Sequence, residues 1–337
     1  MVEEPLPDPR FNGDRRLVEA ERISCEVLQP NAEAVDHADG LPASHLDALR
    51  AAGLYSVGTD PFAAREAHRL LARGCGATAF LWVQHLAVHR QAIAGGSVLA
   101  ASLGDGRIRA GIMFAHLRRP TVSLRAYREV GGWRIDGEAP FASGWGIVDL
   151  FGVGAETEDG RIVWFALHSD RLGDARIVAE LLPLAVMNAS RTAKVRFDGL
   201  LVGDEDVILI EPKTTWISAG RTALAAPPFA ALGAAERSAE LLGLDTSISV
   251  EVRDALAMAR AIVERPVDLG AWAAFRTECL LLGVRAAAAA VASAGGSAME
   301  VRHPAQRLAR EAMFYLVWQQ TPPARAALVN RLSRALG

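Results

Sequence analysis

Residues 131–150, GGWRIDGEAPFASGWGIVDL, carry the residue types and spacing best suited to chemistry. Trp133 and Ile135 alternate with polar neighbours, and Asp136-Gly137 reads as a hairpin turn. Phe141-Ala142-Ser143-Gly144-Trp145 then breaks the alternation before Ile147-Val148 resumes it. Two aromatics, a hydroxyl and two glycines in so short a loop let backbone approach a flat ring while the hydroxyl bonds to its edge. Such a loop suits a flavin better than a metal or a phosphate. Phe141 and Trp145 either flank the ring or pack as core aromatics.

Two histidines form a second chemical candidate. His85 and His89 lie one turn apart on an apolar helical stretch with Trp82. That is metal-ligand spacing, but no third ligand stands at a matching distance along the chain, so no metal site is expected. They either line a substrate pocket or pack as satisfied imidazoles. His116, just after Met113-Phe114-Ala115, is a further titratable group, although a surface histidine is more often inert. Gly295-Gly296 marks a helix boundary or a place where backbone meets a ligand closely.

The elements that must position these residues fall into three segments. Residues 15–110 read as helices: one begins behind Asp14 as N-cap, one behind Pro42 and ends at Gly53, and others span 63–73 and 78–95. Residues 112–208 switch to short alternating runs, with strands expected at 121–128, 133–136, 148–156, 162–168 and 192–197 and a turn at Glu158-Asp159-Gly160. From Lys213 onward the chain is rich in alanine and leucine and again helical. Pro227-Pro228 must kink or split a helix over 218–241, and further helices are expected at 254–264, 271–293, 304–318 and 322–336. The fold class is therefore α+β: an N-terminal helical domain over 1–111, a middle β-sheet or barrel domain over 112–210, and a C-terminal four-helix bundle over 211–337.

Composition narrows the function classes. The chain of 337 residues is 51% hydrophobic and 22% charged with net charge −3, so it has no basic footprint for nucleic acid. The arginines at 118, 119, 125 and 128 meet either an anion or solvent. Cys25, Cys75 and Cys279 are too few and scattered for a disulfide framework and read as small buried hydrophobes. The acidic, proline-rich first 14 residues are unlike a signal peptide, and residues 280–294 read as a buried bundle helix rather than a membrane span. A cytoplasmic setting is expected.

Helices, sheet, helices is also the order of the acyl-CoA dehydrogenase superfamily, which the chain resembles along essentially its whole length. Phe141-Ala142-Ser143 resembles the tryptophan–x–threonine/serine motif that touches the flavin ring. Residues 187–202 resemble the strand that precedes the family's bundle. Gly295-Gly296, Pro304-Ala305-Gln306-Arg307 and residues 311–321 resemble its late cofactor and active-site segment. The resemblance implies FAD, an acyl thioester as substrate, and a homodimer or homotetramer that completes the cofactor site between chains. It places Met113, Phe114, Phe141, Ser143, Gly144, Trp145, Gly295, Gly296 and Thr321 at the cofactor. Ser143 would bond near flavin N5 or O4, and Met113-Phe114 would lay backbone along the pyrimidine ring.

Two departures bear on activity. The family's general base is a glutamate in an aromatic–Glu–Gly–Thr loop, where this chain has Trp318-Gln319-Gln320-Thr321. Its second known position, at the start of the first bundle helix, falls on glycine in Ser218-Ala219-Gly220-Arg221. An amide cannot accept the proton, so the candidate bases are His85, His116 or another group brought in by folding. The arginine–x–glutamine–phenylalanine–glycine motif that supports the FAD pyrophosphate is replaced by Leu242-Gly243-Leu244-Asp245-Thr246. The resulting expectation is an FAD-dependent oxidoreductase acting on the CH–CH group of an acyl thioester. The alternatives are a flavin monooxygenase of the same superfamily and a non-catalytic homologue that binds an acyl or flavin ligand.

Overall fold

Asp14 opens the first helix as expected, its carboxylate accepting the Arg16 backbone N–H at 2.9 Å. The computed structural model describes residues 11, 13–119, 121–243, 246–320 and 322–333. The first ten residues, Leu244, Asp245 and Thr321, all invoked above, lie outside them. Among the described residues there are twelve α-helices and eight strands. The N-terminal helices are α1 (Arg15–Ile23), α2 (Gln29–Asp36), α3 (Ala43–Ala51), α4 (Pro61–Gly74), α5 (Gly76–Ala94) and α6 (Ala100–Gly104). The strands are β1 (Ala110–Met113), β2 (Leu124–Glu129), β3 (Gly132–Ala142), β4 (Leu150–Glu156), β5 (Arg161–His168), β6 (Ile177–Leu181), β7 (Ala193–Gly203) and β8 (Val207–Pro212). The C-terminal helices are α7 (Lys213–Ala225), α8 (Phe229–Leu242), α9 (Ser247–Val263), α10 (Leu269–Ala294), α11 (Pro304–Val317) and α12 (Pro322–Leu332). Pro227-Pro228 splits α7 from α8, because neither ring nitrogen can donate to the preceding turn.

The chain forms two compact units. One comprises residues 38–64 and 80–217 and contains the whole sheet. Its strands run β6-β7-β3-β2-β4-β5-β8, with β1 joined in parallel to β4. β7 alternates buried and exposed residues, as a sheet with one wet face requires. β4 and β5 are buried on both faces. Leu150, Ile162, Trp164 and Ala166 pack with Val88 and Ala92 of α5, and a Cβ on Gly152 would come within 2.9 Å of Val88.

Asp136-Gly137 is not a hairpin turn. β3 runs through it, and the tight connection is Val130-Gly131, between β2 and β3, with Gly131 at φ +76°. Gly137 instead marks a bulge where the β3–β7 register slips between Ile135 and Gly137. It sits at φ +120°, and any Cβ there would strike the Ser123 carbonyl. Gly137→Ala is therefore expected to cost about 2–3 kcal/mol through backbone strain, read as a lower denaturant midpoint with an unchanged slope. β6 and β8 were not among the expected strands. β6 is a short edge strand with four exposed residues, and β8 lies where the chain was read as leaving the sheet.

The other unit, residues 1–37, 65–79 and 218–337, is helical. Phe229 and Leu232 of α8, Val252 and Leu256 of α9, and Cys279, Leu282 and Ala286 of α10 form its core. α11 adds Ala305, Leu308, Ala312 and Tyr315 and completes a four-helix bundle. α10 is long and apolar enough to cross a membrane by length and composition, and it buries Leu280, Gly283, Ala287 and Ala290 within the bundle's packing. α4 passes so near α8 that a Cβ on Gly233 would strike the Arg69 carbonyl. A buried ion cluster ties these helices. Glu66 takes Arg69 at 2.8 Å and Arg260 at 2.7 Å, while Arg69 reaches Glu236 at 2.5 Å. Cys75 and Cys279 are buried, but Cys25 is exposed, with its sulfur 3.5 Å from an Arg73 nitrogen, so the expectation of three buried thiols fails there.

Candidate active site

In the sheet unit, β1 passes beside the Ser143 loop at Gly111, two residues before Met113. Gly111 makes this possible: a Cβ there would strike the Ser143 carbonyl and come within 2.7 Å of the Phe151 ring. β1 pairs in parallel with β4, Gly111 opposite Phe151 and Met113 opposite Val153. Six of the nine residues named for the cofactor thus lie in the sheet unit. Gly295 and Gly296 lie on the helical unit. Gly295 ends α10 at φ +62°, and a single-turn 3₁₀ helix (Gly295–Met299) follows.

The loop after β3 is clamped by residues 187–192. The Gly144 N–H donates to the Ser190 carbonyl at 2.7 Å, and Trp145 N–H to the Arg191 carbonyl at 3.0 Å. Arg191 returns a bond from Nε to the Trp145 carbonyl at 2.8 Å and pairs with Asp39 at 2.6 Å. Met187 and Arg191 hold left-handed φ of 65° and 43°, uncommon for residues with side chains. Asn188 pins the turn between them by bonds in both directions with Leu184. Gly144 and Gly146 supply the positive φ angles on the facing loop.

The named side chains divide. The Ser143 hydroxyl is buried and lies 2.7 Å from the Thr192 hydroxyl. Met113 is fully buried. Phe114 packs edge-on against Trp216 at 6.0 Å. Trp145 packs 5.6 Å from Phe151 and not in a core pair with Phe141, which is 47% exposed. The arginine cluster disperses: Arg128 pairs with Asp204 at 2.9 Å, Arg125 stands 3.7 Å from Glu156, and Arg118 lies 4.7 Å from the Phe114 centroid.

The candidate bases fare badly. His85 donates from Nε2 to the Leu103 carbonyl and accepts the Ala110 N–H at Nδ1, each at 3.0 Å. Both nitrogens are occupied, and burial pushes its pKa down to about 3. It anchors the start of β1 and cannot take a proton from a substrate. His116 is wholly buried, not a surface group, and its Nε2 donates to the Gly154 carbonyl at 2.7 Å. Burial pushes it down to about 4, so it is neutral near pH 7 and its Nδ1 is a buried acceptor without a partner. Neither histidine changes charge near neutrality. No group of three metal-ligating side chains is found among the described residues.

Gln319, in the helical unit, follows α11 in a left-handed conformation, φ 55°. Trp318 before it stacks on Phe314 at 6.0 Å and meets His68 edge-on at 5.6 Å. Arg276, buried on α10, donates to the Ala226 carbonyl at 3.0 Å and the Trp318 carbonyl at 3.5 Å. It braces the ends of α7 and α11 where the backbone carbonyls lack helical donors. Burial pushes its pKa down to about 10. His68 was not singled out from the sequence; an isolated histidine on an amphipathic helix gives no signal of a contact formed 250 residues away.

A helical N-terminal segment, a mixed sheet carrying a clamped glycine–serine loop, and a C-terminal four-helix bundle define one class of architecture. The chain has the acyl-CoA dehydrogenase fold. It superposes on butyryl-CoA dehydrogenase from Megasphaera elsdenii with TM-score 0.77 at 17% identity, covering 99% of this chain and 100% of that one. Glutaryl-CoA dehydrogenase from Mycobacterium smegmatis gives 0.76 at 16% identity, over 97% and 95% of the two chains. A glutaryl-CoA dehydrogenase from the same organism in complex with FADH2 gives 0.73 at 16%, again over 97% and 95%. No family profile matches the sequence, and no curated protein does.

Proposed function

We propose that the chain is a flavin-dependent oxidoreductase that binds FAD and acts on the CH–CH group of an acyl thioester. The observation that carries the reading is the glycine-permitted approach of β1 to the Ser143 loop, where Gly111 meets the Ser143 carbonyl. The side chains fit a flavin edge only in part, because Ser143 is 2% exposed and Phe151 and Val148 fill the space beside Gly111 and Gly144. Ser143, Thr192 and Ser190 hold three hydroxyl protons, and the two contacts among them use only two. FADH2 in a protein of the same fold agrees with this. Bound FAD would supply a hydride acceptor at N5. Ser143 would donate to the ring edge, the Met113–Phe114 backbone would run along the pyrimidine, and Phe114 with Trp216 would shield that side from water. The acyl thioester is inferred from the named substrates of the neighbours.

The missing base favours a second reading, a monooxygenase. Gln319 offers an amide, His85 is occupied at both nitrogens and His116 is a weak, enclosed acceptor. Oxygen chemistry on reduced flavin needs a dry pocket more than a carboxylate.

Titration of the purified protein with FAD and FMN tests the shared part of both readings. Saturable FAD uptake, with a perturbed visible band, is expected. Bleaching of that band by acyl-CoA under anaerobic conditions with a dye acceptor then supports dehydrogenation. Turnover only with a reductase and oxygen supports the second reading. No uptake of either flavin defeats both.

A further inference from the structure

Three arginines are buried among the described residues, and two of them hold a glutamate: Arg69 takes Glu66 at 2.8 Å and Arg307 takes Glu311 at 2.5 Å. Arg276, 5% exposed on α10, forms no ion pair among the described residues and bonds only to carbonyls. A buried cation without a counter-charge is costly. Burial lowers its pKa to about 10, which still leaves it charged near neutrality. Its contacts are unequal. Nη1 donates to the Ala226 carbonyl at 3.0 Å, while the Nη2 contact to the Trp318 carbonyl, at 3.5 Å, stands at the outer limit of a hydrogen bond. Nε is buried and touches no acceptor. The guanidinium is thus anchored at one nitrogen, and its Nε–Nη2 edge is open. That edge is one of those on which a guanidinium takes both oxygens of a carboxylate. The turn that Arg276 meets holds a second unused donor: Nε2 of Gln320, two residues past Trp318, is buried and unpartnered. Ala226, Trp318, Gln319 and Gln320 are all partly exposed, so the open edge lies under a rim and not deep among the apolar contacts of the bundle.

We propose that Arg276 and Gln320 form a binding site for a small free monocarboxylate in the helical unit: Arg276 takes both oxygens on Nε and Nη2, and the Gln320 amide donates to one of them. The site stands apart from the flavin reading. A carboxylate is planar, only accepts, and carries the single negative charge that Arg276 lacks. A halide is spherical and cannot span two parallel N–H bonds. A phosphate dianion is larger and more costly to take out of water. Binding involves no covalent change and no proton transfer.

Isothermal titration of the full chain with sodium formate and sodium acetate, each against sodium chloride at equal ionic strength and neutral pH, tests this. One saturable site for both carboxylates is expected, with a raised unfolding temperature in their presence and no counterpart in chloride. Arg276→Lys keeps the charge but loses the fork, and should weaken acetate binding about tenfold. Gln320→Leu leaves the guanidinium in place at a partly exposed position, and should weaken it about fivefold, the worth of one hydrogen bond. Should Arg276→Lys fail to fold, Gln320→Leu alone decides. Wild type that shows no saturable carboxylate binding overturns the site, as does an equal response to chloride. Acetate affinity unchanged in Gln320→Leu, or in folded Arg276→Lys, overturns it as well. The flavin reading is judged separately, by FAD uptake.

Discussion

Replacing Glu66 by glutamine is expected to destabilise the protein by about 3 kcal/mol, the scale of breaking a buried ion pair from one side. Glu66 has no exposed surface and serves two guanidinium groups, Arg69 and Arg260, from α4 and α9. An amide leaves both cations short of charge, and that of Arg69 is 95% shielded from water. Arg260 is partly exposed, so solvent screens part of its loss. The pH dependence carries a sign. Burial would raise the Glu66 carboxyl, but the Arg260 hydrogen bond and the Arg69 and Arg260 charges outweigh it and hold the pKa below its ordinary value. A depressed carboxyl stabilises the fold above its unfolded pKa, about 4.3, and loses that contribution as pH falls through the folded value. Denaturant unfolding of wild type and variant at neutral pH should show the full gap, and the gap should close in acid. A gap under about 1 kcal/mol at neutral pH would contradict the account of the cluster.

Gln319→Glu is expected to raise dye-linked oxidation of an acyl-CoA by roughly 10²–10⁴-fold, the usual worth of a general base. The backbone at this position is set by its neighbours. Trp318 is held by Phe314 and His68, and Arg276 takes its carbonyl. A carboxylate in place of the amide therefore changes the chemistry of the loop and not its course. If the variant binds FAD and acyl-CoA like the parent yet gains nothing, Gln319 does not stand at the position of the missing base. The result would then favour oxygen chemistry or ligand binding without turnover.

Element type was legible wherever pattern and punctuation agreed. The helix stop at Pro227-Pro228, the Asp14 cap and the Glu158-Asp159-Gly160 turn all follow from residues acting within a few positions of themselves. Asp136-Gly137 misled because a left-handed glycine serves a bulge as well as a turn, and what distinguishes the two is the Ser123 carbonyl across the sheet. β6 was missed because an exposed edge strand needs no apolar alternation. The Ser143 loop stood out because its aromatics, hydroxyl and glycines are consecutive. Its clamp did not, since Ser190, Arg191 and Thr192 are nearly fifty residues away and their hydroxyls and carbonyls look ordinary in isolation. The same distance hid the role of His85, whose partners at Leu103 and Ala110 tie a helix to a strand. Sequence spacing showed two histidines on one helix turn but not that both nitrogens of one were taken.

A crystal structure of the protein soaked with FAD is the most direct test of the central claim. Electron density for an isoalloxazine is expected along the Met113–Phe114 backbone, with the Ser143 hydroxyl within hydrogen-bond reach of N5 or O4. Density elsewhere, or an empty corner at saturating FAD with Phe114 and Met113 unmoved, would contradict it.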